Sequence, residues 1–277
     1  MPHTLLIECS DRTGLVYTIT GVLARDGYNV LTNHEFVDRE HGRFFMRTEF
    51  SGAADPADLA AELRRLLPDD AAVRLAAAAP RPIVVLVTKE HHCLGDLLVR
   101  HSFGEFGATI RAVIGNRATL GPLVERFDVP FHFVDSDGLT RESHEAAMVA
   151  LIDRYAPETI VLAKYMRVLT PAFVARYHHR IINIHHSFLP AFIGANPYRQ
   201  AYERGVKIIG ATAHFVTDSL DEGPIIGQSI IPVTHSHSAQ EMAQAGRDVE
   251  KVVLARALKL VFEERVFIAG NRTVIFD

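Results

Sequence analysis

Residues 83–98 read IVVLVTKEHHCLGDLL, and the fold follows from how this stretch begins. A strand with one wet face alternates apolar and polar residues. Ile83-Val84-Val85-Leu86-Val87 does not alternate, and an unbroken β-branched run belongs in a parallel sheet covered on both faces. A helix is expected next over 94–101. The pattern then repeats: strand 109–114, helix 118–127, strand 130–134, helix 141–155, strand 159–163, helix 170–177, strand 180–184. Strands alternating with helices predict a Rossmann-like, mostly parallel, doubly wound α/β sheet with right-handed crossovers. Strands at 208–216 and 225–233 extend it, the second expected to run antiparallel, and a long helix over 240–263 follows. Ligands of such sheets bind beyond the carboxyl ends of the strands, so the loops after Val87, Ile114, Ala163 and Ile184 form one rim.

Working back from this stretch, Ala76-Ala77-Ala78-Ala79 and Pro80-Arg81-Pro82 mark a boundary between residues 1–79 and 80–277, since small-residue and proline-rich segments join domains. Before it come a strand at 3–9, a turn at Asp11-Arg12-Thr13-Gly14, and a helix at 15–25 whose Leu15, Ile19, Val22 and Leu23 share a face. Two strands joined by a short loop follow at 29–38 and 43–50. Asp55 is the expected cap and Pro56 the first residue of a second helix, and a last strand lies at 72–76. The βαββαβ order is that of a ferredoxin-like module.

Composition narrows the function. The chain has 277 residues, enough for one large and one small domain, and a net charge of -4, which argues against a nucleic-acid partner. Only two cysteines occur, Cys9 and Cys93, so neither a disulfide framework nor a cysteine-rich metal site is expected, and the compartment is a reducing one. The N-terminus lacks a basic segment followed by an apolar core, and no apolar run reaches the roughly 20 residues of a membrane span. A cytoplasmic protein with no membrane partner is expected.

The rim carries chemistry at Asn183, His185 and Asp221. Asn183 and His185 are two apart at a strand end and point to the same side. An amide N–H and an imidazole N–H aimed together make an oxyanion site or polarise a carbonyl. Asp221, on a neighbouring loop, can hold a water and take its proton, or fix the imidazole's tautomer and charge. Ser187 has no Gly-x-Ser-x-Gly elbow around it, so it is no nucleophile. The residues alone predict addition of water or an amine to a carbonyl, without a covalent enzyme intermediate. His91-His92 and His235-Ser236-His237 lack partners at metal spacing and read as solvated loops; no metal is expected.

Several motifs in order then carry a resemblance. Asn183-Ile184-His185, Ser187-Phe188-Leu189-Pro190, His214-Phe215-Val216-Thr217 and the run LDEGPII at 220–226 resemble the folate-dependent formyltransferase fold. The turn DRTGLV at 11–16 and the βαββαβ order resemble the ACT domain. With VTKEHHCLGDLL (87–98), AKYMRVLTP (163–171) and NIHHSFLPAFIGA (183–195), the whole chain resembles the formyltetrahydrofolate deformylases. The resemblance implies a catalytic trio of Asn183, His185 and Asp221. It implies a folate site at Met166, Arg167, Val168 and Leu169, with Phe215, Val216, Thr217 and Asp218 as its opposing wall, and support from His214 and Gly194. His214 supports Asp221 or is a satisfied core histidine; His186 faces the core side of its turn. Folate is the substrate, so no cofactor is implied. The ACT likeness implies an amino-acid effector at Asp11, Arg12, Thr13, Gly14 and Leu15, or a module that only dimerises, and a homodimer or homotetramer.

The acceptor of the formyl group follows from the loop at 88–96. It has one glycine, two carboxylates and bulky side chains, a poor cradle for a phosphate. The resemblance places Lys89 and Glu90 on the rim where the substrate phosphate would sit in a glycinamide ribonucleotide transformylase. A basic domain for tRNA after residue 277 is not expected. Water remains, which makes the implied reaction hydrolysis of 10-formyltetrahydrofolate to formate and tetrahydrofolate, supplying formate for purine synthesis and balancing the folate pool. The alternatives are formyl transfer to an amine and a non-catalytic, amino-acid-sensing regulator. The basic segment 199–207 meets the acidic folate tail or is a solvated helix face. Asn196 stands where the family often has a basic residue.

Overall fold

The structure is a computed structural model that describes residues 2–52, 56–76, 79–191 and 197–277. In the first part of the chain, β1 (His3–Ser10) leads through a turn into α1 (Leu15–Arg25). Gly14 begins that helix at φ 89, a left-handed geometry that favours glycine. The hairpin β2 (Asn29–Asp38) and β3 (Arg43–Ser51) follows, then α2 (Leu59–Leu66) and β4 (Ala72–Leu75). The expected cap Asp55 lies outside the described residues; Pro56 opens a short 3-10 turn, Pro56–Asp58, ahead of α2. The sheet order is β2-β3-β1-β4 with every neighbour antiparallel. This is the expected ferredoxin-like βαββαβ module. Ile7, Ile19, Leu23, Met46, Phe50 and Leu63 are fully buried in its core.

The second part contains β5 (Arg81–Val87), α3 (His92–Ser102), β6 (Ala108–Gly115), the single turn α4 (Gly121–Val124), β7 (Phe131–Phe133), α5 (Arg141–Tyr155), β8 (Thr159–Leu162), α6 (Pro171–Arg176) and β9 (Ile181–His185). Then come α7 (Pro197–Arg204), β10 (Ile208–Phe215), β11 (Ile225–Pro232) and α8 (Ala239–Phe262). The helix expected over 118–127 is α4 between two 3-10 turns. All five residues of the 83–87 run have zero exposure, as two-sided burial requires. Val84 and Leu86 pack with Met148, Ile152 and Phe173 of α5 and α6. The strand order is β11-β10-β9-β8-β5-β6-β7.

From β9 to β7 every pair is parallel. β10 runs antiparallel to β9, and β11 antiparallel to β10. The strand reversed against the rest of the sheet is therefore β10; β11, expected to run antiparallel, does so relative to β10 and hence runs with the other strands. The link from β10 to β11, residues 216–224, is too short for a parallel crossover, which needs about a dozen residues. Among the described residues no helix is long and apolar enough to cross a membrane.

A hairpin absent from the sequence reading ends the chain, β12 (Val266–Ala269) and β13 (Arg272–Ile275), turning at Gly270 with φ 61. The chain divides into one compact unit of Met1–Ala79 with Glu264–Phe267 and Val274–Asp277, and another of Pro80–Glu263 with Ile268–Thr273. The expected single stretch 80–277 is thus corrected at its end. Phe267 packs edge-on against Phe45 at 5.6 Å, and Arg47 Nε donates to the Glu264 carbonyl at 3.0 Å. Phe45 and Arg47 point away from the helices of their unit, whose core takes Phe44 and Met46, and the chain end covers that other face.

Candidate active site

β9 carries Asn183 and His185 on one side, and the antiparallel register sets His214 of β10 opposite Asn183. His214 is 1% exposed. Burial pulls its pKa down, against upward pulls from the Phe215 carbonyl and Asp221, so the ring is neutral. Its Nδ1–H donates to the Phe215 carbonyl at 2.9 Å, which leaves Nε2 to accept from the Asn183 amide at 3.2 Å. The tautomer of one buried histidine therefore fixes which way the Asn183 amide faces.

Asp221 stands in the left-handed region at φ 58, where a short polar side chain is better tolerated than most. Its Oδ2 lies 3.3 Å from His185 Nδ1 and its Oδ1 3.8 Å from His214 Nε2. Burial alone would raise its pKa, but the hydrogen bond to His185 and that residue's charge outweigh this and hold it below the ordinary value. Gly223 seats the loop that carries Asp221. A Cβ there would lie 1.9 Å from the Phe215 carbonyl oxygen, and the Phe215 N–H donates to the Pro224 carbonyl at 2.9 Å.

These groups line a cleft of about 290 Å³. Met166, Arg167, Val168 and Leu169 form one wall; Val216, Thr217, Asp218 and Leu220 form the other. Met166 and Leu220 are 53% and 52% exposed, apolar surface left open where a flat ring can slide between. The Met166 N–H is already held by Thr88 Oγ1 at 2.9 Å. His185 Nε2 is buried without a hydrogen-bond partner among the described residues. Buried polar atoms are mostly satisfied; among the described residues His92 Nδ1, Asn116 Oδ1 and Ser136 Oγ share this state, and of the four only His185 Nε2 belongs to a residue lining the cleft.

Not every expected residue reaches the cleft. Phe215 is buried and does not line it. Adjacent strand residues face opposite sides, and His214 takes the cleft side; Phe215 contributes its carbonyl instead. Gly194 and Asn196 lie outside the described residues. At the N-terminal turn, Asp11, Arg12, Thr13 and Gly14 are exposed, but Leu15 is buried in the module core and is no effector contact. The Asp11 N–H is bound to the Gly42 carbonyl, and Arg12 donates to the Leu66 carbonyl at 2.7 Å.

Sequence reasoning missed a second polar cluster beside the trio. Glu250 of α8 has zero exposure. Its Oε2 meets His92 Nε2 at 2.7 Å and Lys164 Nζ at 3.1 Å, and its Oε1 accepts from the Tyr198 hydroxyl at 2.5 Å. Burial pushes its pKa up, yet these partners, His92 first, bring it down to about 2. His92, its side chain 8% exposed, is thus a hydrogen-bond partner of Glu250 and not part of a solvated loop; His91 is exposed. His92, Cys93 and Glu250 bring ligand atoms within 4.8 Å of one another. Lys164 already neutralises the carboxylate, and burial keeps the Cys93 thiol protonated, so the donor set suits a cation poorly. His186 lines the cleft beside His185, and burial, then the charge of Lys164 and His185, pushes its pKa down to about 3. The signal available in sequence was Glu250 itself, an acidic residue on the apolar stripe of Val249, Val253 and Leu254.

Residues 81–258 match the formyl transferase family model, and residues 3–68 match the ACT domain. The chain is 58% identical over 267 residues to the formyltetrahydrofolate deformylase of Escherichia coli K12, covering 96% of this chain and 95% of that protein. It is 42% identical over 281 residues to the Bacillus subtilis deformylase, covering 99% and 93%. The crystal structure of a formyltetrahydrofolate deformylase from Pseudomonas syringae superposes with a TM-score of 0.94 at 39% identity, covering 100% of this chain and 94% of that one. A glycinamide ribonucleotide transformylase from Symbiobacterium toebii superposes with a TM-score of 0.70 at 32% identity, covering 73% and 96%.

Proposed function

The chain belongs to the formyltetrahydrofolate deformylase family, a family of hydrolases, and on that premise we propose that Asn183, His185 and Asp221 hydrolyse 10-formyltetrahydrofolate to formate and tetrahydrofolate. The observation that supports the assignment is the orphaned His185 Nε2, buried in the cleft beside Asn183 and Asp221.

The pterin enters between Met166–Leu169 backbone and the wall of Val216, Thr217 and Asp218. With the Met166 N–H committed to Thr88, the backbone grip falls to Arg167, Val168 and Leu169. The formyl oxygen sits against the second N–H of the Asn183 amide and the Nε2–H of protonated His185, whose Nδ1–H donates to Asp221. Asp221 holds the attacking water. A carboxylate held below its ordinary range is a weak base, so its contribution is position and charge, and the water proton transfers as the oxyanion develops. The C–N10 bond then breaks, formate leaves, and the proton reaches N10. Supply of formate to purine synthesis and balance of the folate pool follow from this reaction. No cofactor takes part. The ACT match supports an amino-acid effector at the exposed turn of residues 11–14 and a homodimer or homotetramer; the free cysteines Cys9 and Cys93 suit a reducing, cytoplasmic compartment.

Incubation with 10-formyltetrahydrofolate and no acceptor tests the reading. Equimolar formate and tetrahydrofolate are expected; loss of the formyl group only when an acceptor is added would reject it.

A further inference from the structure

Lys164 follows β8 at φ 63, a left-handed backbone that a long side chain adopts only where its surroundings hold it there. Its side chain is 7% exposed, and its ammonium is 3.1 Å from the fully buried Glu250. Beyond the trio lies a second cavity of about 470 Å³, lined by Lys89, Glu90, Arg199 and Arg247. Lys164, Met166 and His186 line both that cavity and the folate cleft. They form the partition between the two.

The Glu250 carboxylate lines the second cavity, where it would be a natural anchor for an incoming amine. Here its oxygens are already occupied by donors from the same chain: His92, Tyr198 and Lys164. Lys164 is itself a primary amine, tethered, and as the ammonium of an ion pair it has no lone pair for the formyl carbon. The same fold occurs in a transformylase named for an amine-bearing ribonucleotide.

Resting on the hydrolytic reading above, we propose that Lys164 is the specificity-determining residue that fills the amine-acceptor side of the site and so reserves the formyl group for water. With that side chain removed, a small primary amine can reach the formyl carbon. The C–N10 bond breaks, a C–N bond to the amine forms, and the amine's proton goes to N10, so a formamide appears in place of formate.

The test follows both products from 10-formyltetrahydrofolate with glycinamide present, using the intact protein, Lys164→Gly and Lys164→Ser, with folding checked by thermal melts. Glycine suits the left-handed backbone and serine keeps a short side chain. The intact protein is expected to give formate alone. Either folded variant is expected to raise the ratio of N-formylglycinamide to formate by at least about tenfold. An unchanged ratio in a folded variant, or N-formylglycinamide from the intact protein in amounts comparable to formate, would overturn the role of Lys164. Failure of the intact protein to release formate without glycinamide would strike the hydrolytic reading instead.

Discussion

Asp221 shows how a single residue joins backbone and chemistry. Its left-handed backbone turns the carboxylate back toward His185 and His214. Asn also tolerates that geometry, so Asp221→Asn removes the charge while keeping the turn; kcat is expected to fall about 10²–10³-fold with a small change in KM, read in steady-state formate release. Removal of the Asn183 or His185 side chain is expected to cost a similar factor, and near-normal turnover in His185→Ala would sink the assignment. Because the folded pKa of Asp221 is depressed, its carboxylate persists through neutral pH and protonates only as pH falls below the ordinary Asp value of about 3.9. Its stabilising contribution is full above that value and is lost as pH falls through the folded pKa. The Asp221 limb of kcat/KM is therefore expected below about pH 4, and a limb centred near pH 6 that vanished in Asp221→Asn would contradict the depressed pKa. Asn183 and His185 were legible in sequence because spacing of two on a strand fixes a common side. Phe215 was misread by one position of the same rule. The left-handed turn at Lys164 was not legible, since nothing in the residue type announces it.

At the scale of elements, the loop of residues 216–224 and helix α8 hold the site from opposite directions in sequence. The loop touches the end of β10 at Gly223, where a Cβ would meet the Phe215 carbonyl oxygen at 1.9 Å. Gly223→Ala must displace that backbone and move Asp221 with it. An ångström of misplacement costs about 10² in rate, so turnover is expected to drop by that order while the thermal melt shows a folded protein; wild-type turnover would show that the loop adapts. Helix α8 starts with a capping box of Ser238 and Glu241 and carries Glu250 to its three partners. Gly246, one turn earlier, leaves room for the Tyr198 ring, whose hydroxyl would sit 2.1 Å from a Cβ there. Glu250→Gln leaves the Lys164 cation buried without its counter-charge, and unfolding experiments at pH 7 are expected to show a loss of about 3–5 kcal/mol. The folded pKa of Glu250, about 2, lies below the unfolded value, so the difference from wild type should be full above pH 4.5 and shrink as pH falls toward 2. A constant difference across that range would exclude the charge as the cause. The alternation of strand and helix from 83 to 185 was legible throughout. The reversal of β10 was not, because the link of residues 186–207 is long enough for a parallel crossover and only tertiary packing decides against one.

Across the whole molecule, the division near Ala79 and Pro80 follows a composition signal visible in the alanine run and the two prolines. The return of the chain end to the first unit does not. It was hinted at by Phe44, Phe45 and Met46, three consecutive apolar residues in a strand, all buried. A sheet with helices on one face only would leave every second one wet. The cover for Phe45 comes from more than 200 positions later, and no local pattern in β3 names it: Phe267 stacks edge-on at 5.6 Å, Phe276 packs on Phe267 at 5.8 Å, and Arg74 binds Glu264. Phe267→Ala removes the ring that covers Phe45 and is expected to destabilise the first unit by about 1–3 kcal/mol. Hydrogen exchange resolves the effect by position. Amides of β1 and β3 should exchange faster by the corresponding factor, while those of β5, β8 and β9, in the second unit, should keep their wild-type rates. Uniform acceleration across both sheets would mean that the chain end stabilises the protein as one cooperative body and not the first unit alone.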